Sequence, residues 1–118
     1  LEIEVGEADT ALAVGSGDVP VLATPRLVAL AEQATVRAVR EQLPAGHTSV
    51  GTEVVLHHRR PSGPGAAVTI PARLSELDGA RLTFHVAAHQ AGTLIAEGTV
   101  RRMIVDRAEF LDRVRSTG

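Results

Sequence analysis

The sequence contains no cysteine, no tryptophan, no tyrosine and no lysine. Without cysteine, disulfides, thiolate metal sites and cysteine nucleophiles are excluded. Aromatic residues make up only 2% of the chain, so the core must be built from Val, Leu, Ile and Ala, with close backbone approach. All 12 basic residues are arginines spread along the chain, a pattern that argues against nucleic acid as the main ligand.

The chain has 118 residues, of which 44% are hydrophobic, and its formal net charge is -2. This size and composition predict one globular domain over residues 1–118. No apolar run approaches the roughly 20 residues of a membrane span, so no membrane partner is expected. No signal-peptide pattern follows Leu1, and we expect a cytoplasmic protein.

The first third of the chain predicts two short strands and one long helix. The strands are "LEIEV" at the start and "TALAV" from Thr10 to Val14, followed by a loop at "GSGDVP". The helix is "TPRLVALAEQATVRAVREQL", in which Thr24 takes the N-cap position and Pro25 the first helical position. Pro44 and Gly46 set its end.

From Thr48 onward the sequence is rich in β-branched residues and predicts four consecutive strands, "TSVGTEVVLHH", "AAVTIPARLSEL", "ARLTFHVAAHQ" and "TLIAEGTVRRMIV". Turns at Asp78–Gly79 and Gln90–Gly92 connect the last three of these strands, which are therefore expected to be antiparallel neighbours. A short amphipathic helix capped by Asp106 follows. One long helix and a set of long strands predict an α+β hotdog fold, in which a curled antiparallel sheet wraps around the helix. Pairing of an open sheet edge with a second copy makes a homodimer plausible.

Thr24 and Glu32 lie two turns apart on the predicted helix, so a hydroxyl and a carboxylate share one side of it. Glu32 interrupts the apolar run "LVALAEQA", and a carboxylate in apolar surroundings is a competent general base or nucleophile when a donor orients it. In the alternative interpretation, Glu32 points outward and only solubilises the helix. The alternative for Thr24 is the N-cap itself, which taken alone favours a capping role over a catalytic one.

Alternation along the first long strand places His58 on its more apolar face and Gly51 on the opposite face, beside a solvated His57. His58 is then either a core histidine or a residue that meets a substrate near the helix. Gly51 weakens a strand, and such a glycine is usually tolerated for the close approach of another backbone or a ligand. Its N–H could polarise a carbonyl oxygen.

Arg102 shares a face with Val100 and Ile104 in the last predicted strand. It pairs with a carboxylate, neutralises a ligand phosphate or is a plain surface arginine. No histidine pair has ligand-like spacing with a carboxylate, so no metal site is expected. The sequence also lacks a glycine-rich phosphate loop and a nucleophile elbow.

Three segments carry a family resemblance: "LATPRLVALAEQA", "LPAGHTSVGTEVVLHHRRPSGPG" and "LDGARLTFHVAAHQAGTLIAEGTVRRMIV". From about Val21 to Val105, the chain resembles the hotdog-fold acyl-CoA thioesterases of the fluoroacetyl-CoA thioesterase type, with strand and turn spacing preserved. The resemblance implies hydrolysis of an acyl-CoA thioester in a cleft at a dimer interface. CoA is then part of the substrate, and no separate cofactor is implied.

The family's catalytic set is a threonine at the helix start, a glutamate two turns on and a histidine at the end of the next strand. These fall on Thr24, Glu32 and His58. By the same resemblance, the Gly51 amide contacts the thioester carbonyl and Arg102 is a supporting arginine. Glu32 either attacks the carbonyl or activates water, and the sequence leaves both routes open.

The segment before the helix departs from the family. The fluoroacetyl-specific enzymes carry phenylalanines there that form a lid over the acyl group, whereas this chain has "VGSGDVPVLAT". We therefore expect a thioesterase for short or small acyl groups without fluoroacetyl selectivity. The alternative is a non-catalytic hotdog dimer that binds acyl-CoA or acyl-carrier thioesters. A hotdog hydratase ranks last, because the aspartate and histidine pair that it needs is not found.

Overall fold

An antiparallel sheet and one long helix dominate the computed structural model, which describes residues 1–117. Its strands and α-helices are β1 (Glu2–Glu4), α1 (Ala11–Val14), α2 (Thr24–Val39), β2 (His47–His58), β3 (Ala67–Thr69), β4 (Ala72–Asp78), β5 (Arg81–Gln90), β6 (Thr93–Asp106) and α3 (Arg107–Thr117). The strands run in the order β1-β3-β5-β6-β2, and β4 also pairs with β5. Among the described residues, no helix is long and apolar enough to cross a membrane.

The core lies between α2 and the inner face of the sheet. Ala31 of α2 packs against Val86 of β5 and Val100 of β6, where its small side chain lets the helix approach the strands. The sheet therefore wraps the helix, as the α+β prediction requires. The buried residues of α2 are Leu27, Leu30, Ala31, Ala34, Thr35 and Val39.

The start of α2 corrects the predicted N-cap. Ala23 is the N-cap residue, and Thr24 is the first residue of the helix, followed by Pro25. Because Pro25 lacks an N–H, it suits the first turn, where amide groups have no helical partner. Thr24 makes no capping hydrogen bond, so its hydroxyl is available for another contact.

Two predicted strands differ from the structure. Ala11–Val14, expected to be part of a strand, forms the single helical turn α1, whose N-cap Thr10 accepts a hydrogen bond from the Ala13 amide at 3.3 Å. The run "AAVTIPARLSEL" forms two strands, β3 and β4, which separate at Ile70 and Pro71. Pro71 has no N–H for a strand ladder, which explains the break.

The remaining β predictions are confirmed. The turns at Asp78–Gly79 and Gln90–Gly92 connect antiparallel neighbours. The amide of Glu109 donates to the carboxylate of Asp106 at 3.0 Å, so Asp106 caps α3 as predicted. The second hairpin places β6 beside β5, and β2 pairs with the other side of β6.

β2 and β6 form the ladder that carries the candidate site. Their register shifts between Gly51 and Glu53, which marks an irregularity of the β-bulge type at Thr52. Gly98 of β6 pairs with Leu56, and a Cβ at Gly98 would collide with the backbone carbonyl of Val55. β2 is the last strand of the sheet, so β6 is its only strand partner among the described residues.

Candidate active site

Thr24 and His58 meet where α2 begins and β2 ends. The Thr24 hydroxyl and the Nδ1 atom of His58 form a hydrogen bond of 2.8 Å. The structure thus brings together two of the three residues predicted to be catalytic. His58 follows Leu56, which packs against the core, and this confirms that His58 lies on the more apolar face of β2.

The other ring nitrogen of His58 lies in a different environment. Its Nε2 atom is buried and has no hydrogen-bond partner among the described residues. Loss of hydration on burial lowers the pKa of His58, and the nearby backbone of Arg60 opposes this effect in part. The imidazole is therefore biased toward its neutral form, in which it can accept or donate a proton.

Glu32, Gly51 and Arg102 form a second cluster, two turns of α2 away from Thr24. A carboxylate oxygen of Glu32 lies 3.7 Å from the Nη1 atom of Arg102. A Cβ atom at Gly51 would collide with that carboxylate, so the glycine permits its close approach to β2. The sequence predicted the close approach of another backbone or a ligand at Gly51, and the structure instead places a side chain of α2 there.

The environment of Glu32 differs from the expected apolar one. Its side chain is 38% exposed and faces the guanidinium of Arg102, so the carboxylate is partly solvated and paired with a cation. The interpretation in which Glu32 only solubilises the helix does not describe this contact. An oriented carboxylate next to a fixed cation can still act as a base or a nucleophile.

The bulge at Thr52 corrects the predicted faces of β2. Unbroken alternation would place Gly51 and His58 on opposite faces, but the bulge inserts one extra residue between them. Gly51 therefore lies against α2, on the same side as Val54 and Leu56, which pack in the core. Both clusters consequently lie along the seam between α2 and β2.

Arg102 is buried, with 6% of its side chain exposed. Its Nε atom donates to the Ser49 hydroxyl at 2.9 Å, and its Nη2 atom donates to the Ser49 carbonyl at 3.0 Å. Burial lowers the pKa of Arg102, and the negative charge of Glu32 opposes that shift. Of the three interpretations for Arg102, the structure shows the pairing with a carboxylate.

Ser49 was not among the predicted site residues. The available signal was its position two residues before Gly51, on the same face of the strand. That signal is weak, because many serines occupy such positions on strand faces. The contact depends on the register of β2 with β6, which local sequence does not determine.

The two clusters lie at opposite ends of the seam. Eight residues separate Thr24 from Glu32, which corresponds to about 12 Å along a helix. Within residues 1–117, no hydrogen bond joins the imidazole of His58 to the carboxylate of Glu32. An open cleft of about 290 Å³ adjoins the Thr24–His58 pair and is lined by Ala11, Ser16, Val21, Leu22, Ala23, Thr24, Pro25, His58, Arg59, Arg60 and Pro61.

The seam offers groups for acid and base chemistry at a carbonyl centre. At one end lies the imidazole of His58, whose Nδ1 atom is hydrogen-bonded to the Thr24 hydroxyl. At the other end lie the Glu32 carboxylate, the buried guanidinium of Arg102 and an exposed glycine backbone. In the described part of the chain, no group of three or more His, Asp or Glu side chains could hold a metal ion. The arrangement suits hydrolysis or transfer at a carbonyl group.

Comparisons with known proteins agree with this geometry. Residues 5–108 match the family model described as "Fluoroacetyl-CoA-specific thioesterase" (FlK). The fluoroacetyl-CoA thioesterase of Streptantibioticus cattleyicolor is 37% identical over 95 residues, which cover 80% of this chain and 68% of the relative.

Solved structures give the same result. A mutant of the thioesterase FlK in complex with fluoroacetate and CoA has a TM-score of 0.93 at 30% identity, covering 99% of this chain and 96% of that one. A Thermus thermophilus protein described as a thioesterase superfamily member has a TM-score of 0.93 at 26% identity. The match covers 99% of this chain and 87% of that one.

The fold and the comparisons together define a hotdog-fold thioester hydrolase, as predicted. Within that class, the chain belongs to the fluoroacetyl-CoA-specific thioesterase (FlK) family.

Proposed function

We propose that this protein hydrolyses acyl-CoA thioesters of short or small acyl groups, with Thr24, Glu32 and His58 as its catalytic residues. The observation that carries the proposal is the hydrogen bond of 2.8 Å between Thr24 and His58 on the seam that also holds Glu32. Family membership supports the acyl-CoA substrate, because relatives are described as acting on fluoroacetyl-CoA.

In the proposed reaction, the thioester carbonyl lies along the seam, where the Gly51 amide polarises its oxygen. Glu32 either removes a proton from the attacking water or attacks the carbonyl carbon itself. A C–O bond forms, the C–S bond breaks, and the CoA sulfur leaves as the thiol after it receives a proton. When Glu32 attacks, the product is a mixed anhydride, and water then breaks the bond between its acyl carbon and the Glu32 oxygen, which regenerates the carboxylate. Both routes therefore consume one water and release a carboxylic acid and free CoA.

His58 serves proton movement in this scheme. Its Nδ1 atom is held by Thr24, and its Nε2 atom has no partner among the described residues. A substrate or water atom that reaches Nε2 would supply the missing hydrogen bond. A group that transfers a proton must be within hydrogen-bond distance of the atom that gives or receives it. Arg102 balances the charge of Glu32.

We propose a broader acyl preference than that of the fluoroacetyl-specific enzymes. The segment from Val14 to Thr24 contains no aromatic residue, and Gly15 in it adopts a left-handed conformation. Of the two phenylalanines, Phe84 is buried in the core and Phe110 belongs to α3. Neither lies in the segment that forms the lid in the fluoroacetyl-specific enzymes.

We also propose that the active protein is a homodimer. β2 has 12 residues and lies at the sheet edge, where one row of backbone groups lacks a strand partner among the described residues. Pairing with the β2 strand of a second copy would satisfy those groups. It would also border the seam with a second chain, in agreement with the dimer-interface cleft that the family resemblance implies.

The direct test is steady thiol release from a panel of acyl-CoAs, including acetyl-, propionyl-, butyryl- and fluoroacetyl-CoA, measured with a thiol-reactive dye. We expect turnover of several short substrates, and a loss of kcat/KM of about 10²- to 10⁴-fold in Glu32→Gln and His58→Asn. The matched controls are Glu53→Gln and His57→Asn, which change exposed neighbours and should keep the wild-type rate.

Three outcomes would count against the proposal. Binding of CoA thioesters without thiol release would favour the non-catalytic dimer. Wild-type rates in both Glu32→Gln and His58→Asn would refute the assigned residues. The proposed broad acyl preference would be refuted if the protein preferred fluoroacetyl-CoA over acetyl-CoA as strongly as a selective enzyme does.

A further inference from the structure

The guanidinium of Arg102 is held on two of its three nitrogens by one residue. Ser49 accepts from Nε through its hydroxyl at 2.9 Å and from Nη2 through its carbonyl at 3.0 Å. The third nitrogen, Nη1, faces the Glu32 carboxylate at 3.7 Å. Ser49 thus occupies the side of the guanidinium away from the proposed chemistry.

A guanidinium is planar and rigid, so fixing two of its nitrogens fixes the direction of the third. Arg102 is nearly fully buried, which means that water cannot replace a lost acceptor without cost. The position of Nη1 beside Glu32 therefore depends on the two acceptors that Ser49 supplies.

The β2–β6 register explains why a small hydroxyl residue fits this position. Gly51 pairs with Arg102, and Ser49 pairs with Ile104, so Ser49 lies diagonally across the ladder from Arg102. At that separation, a serine hydroxyl reaches the Nε atom of the arginine. Alanine would keep the carbonyl acceptor and lose the hydroxyl, whereas threonine would keep both.

We infer that Ser49 is a positioning residue for the proposed thioester hydrolysis, acting through Arg102 to hold the Glu32 carboxylate. This inference rests on the proposed function. Within residues 1–117, the side-chain hydrogen bond of Ser49 goes to Arg102 and the one between Thr24 and His58 does not involve it, so its effect is expected at the carboxylate end of the seam.

The test compares kcat and KM for Ser49→Ala and Ser49→Thr. We expect Ser49→Ala to lower kcat about tenfold or more, because small displacements of a reacting group are costly, while KM changes less than about threefold. Ser49→Thr should recover most of kcat, since it restores the acceptor. Ser75→Ala is the matched control: it removes a β4 serine hydroxyl that donates to the backbone carbonyl of Thr83 on β5.

A second readout does not depend on activity. In nitrogen-15 NMR spectra, the N–H of Arg102 Nε should be protected from exchange in the wild type and in Ser49→Thr, and unprotected in Ser49→Ala. If the wild type released no thiol, the proposed function would fail, and this signal would still show whether Ser49 holds the guanidinium.

Several results would overturn the inference: wild-type kcat in Ser49→Ala, equal losses in the alanine and threonine variants, or an unprotected Nε signal in the wild type. If Ser49→Ala does not fold, Ser49→Cys decides the question, because a thiol has nearly the same shape and is a poor acceptor. Wild-type kcat in Ser49→Cys would then refute the role.

Discussion

The two ring nitrogens of His58 lie in different environments. Thr24 occupies Nδ1, while Nε2 is buried without a partner among the described residues. Loss of hydration disfavours the imidazolium, so the pKa of His58 lies below its ordinary value of about 6.5. A neutral imidazole is the form that the proposed proton transfer requires.

This shift predicts a dependence of stability on pH. The unfolded chain protonates His58 near pH 6.5, whereas the folded chain does so only at lower pH. In that window the unfolded state binds more protons, so the free energy of unfolding decreases as the pH falls. In denaturant unfolding, the wild type should lose more stability than His58→Asn between about pH 7.5 and about pH 5.5.

The matched control for this series is His57→Asn, which keeps the partly buried imidazole and changes its exposed neighbour. It should lose stability in parallel with the wild type. Equal pH dependence in the wild type and His58→Asn would show that the folded protein does not disfavour protonation of His58.

The sequence patterns did not predict the contacts of the candidate site residues. Thr24, Glu32 and His58 were assigned through the resemblance, and their own patterns left alternatives open. The hydroxyl of Thr24 contacts His58 instead of capping the helix, because the helix has its N-cap one residue earlier than expected. Cap positions shift easily by one residue, since both assignments satisfy the same local pattern.

At the scale of elements, the fit of β2 against α2 defines the candidate site. The hairpins and the long helix were predictable, because turn residues and long periodic segments are strong local signals. The bulge at Thr52 was not, since it depends on the register with β6 and not on local composition. The turn α1 is too short to show a helical period.

This fit predicts the effect of Gly51→Ala. A methyl group there would collide with the Glu32 carboxylate and displace it from Arg102. We expect kcat/KM for acyl-CoA hydrolysis to fall by about tenfold or more, in line with the cost of a displaced reacting group. The measurement is thiol release under conditions where circular dichroism shows a folded variant.

Gly63→Ala is the control for the same chemical change. A Cβ at Gly63 meets no atom within 4 Å, so this variant should keep the wild-type rate. Matching rates for Gly51→Ala and Gly63→Ala would contradict the close approach of Glu32 to β2. A larger loss in Gly63→Ala would place the sensitive contact elsewhere.

At the scale of the whole molecule, the α+β hotdog fold was predicted correctly. Its main determinant is the balance between one long helix and several long strands, which local patterns report well. The proposed pairing with a second chain lies beyond local patterns, because it depends on how two surfaces fit. The open edge of β2 is the feature that connects the fold with this proposal.

We predict a solution mass of two 12.4 kDa chains in light scattering at micromolar concentration. The physical reason is the unpaired edge of β2, which a second copy can complete. A single-chain mass together with full activity would refute the dimeric site. A single-chain mass without activity would contradict the predicted pairing through β2.

The central claim is that the Thr24–His58 pair and the Glu32–Arg102 cluster act together on one thioester. The most direct measurement is kcat/KM for Thr24→Val, Glu32→Gln and the double variant, relative to wild type. Residues that act as a unit give non-additive losses, so the double variant should be only a few-fold slower than the slower single variant. The claim would be contradicted if the fold-loss of kcat/KM in the double variant equalled the product of the two single losses. It would also be contradicted if the single variants kept the wild-type rate.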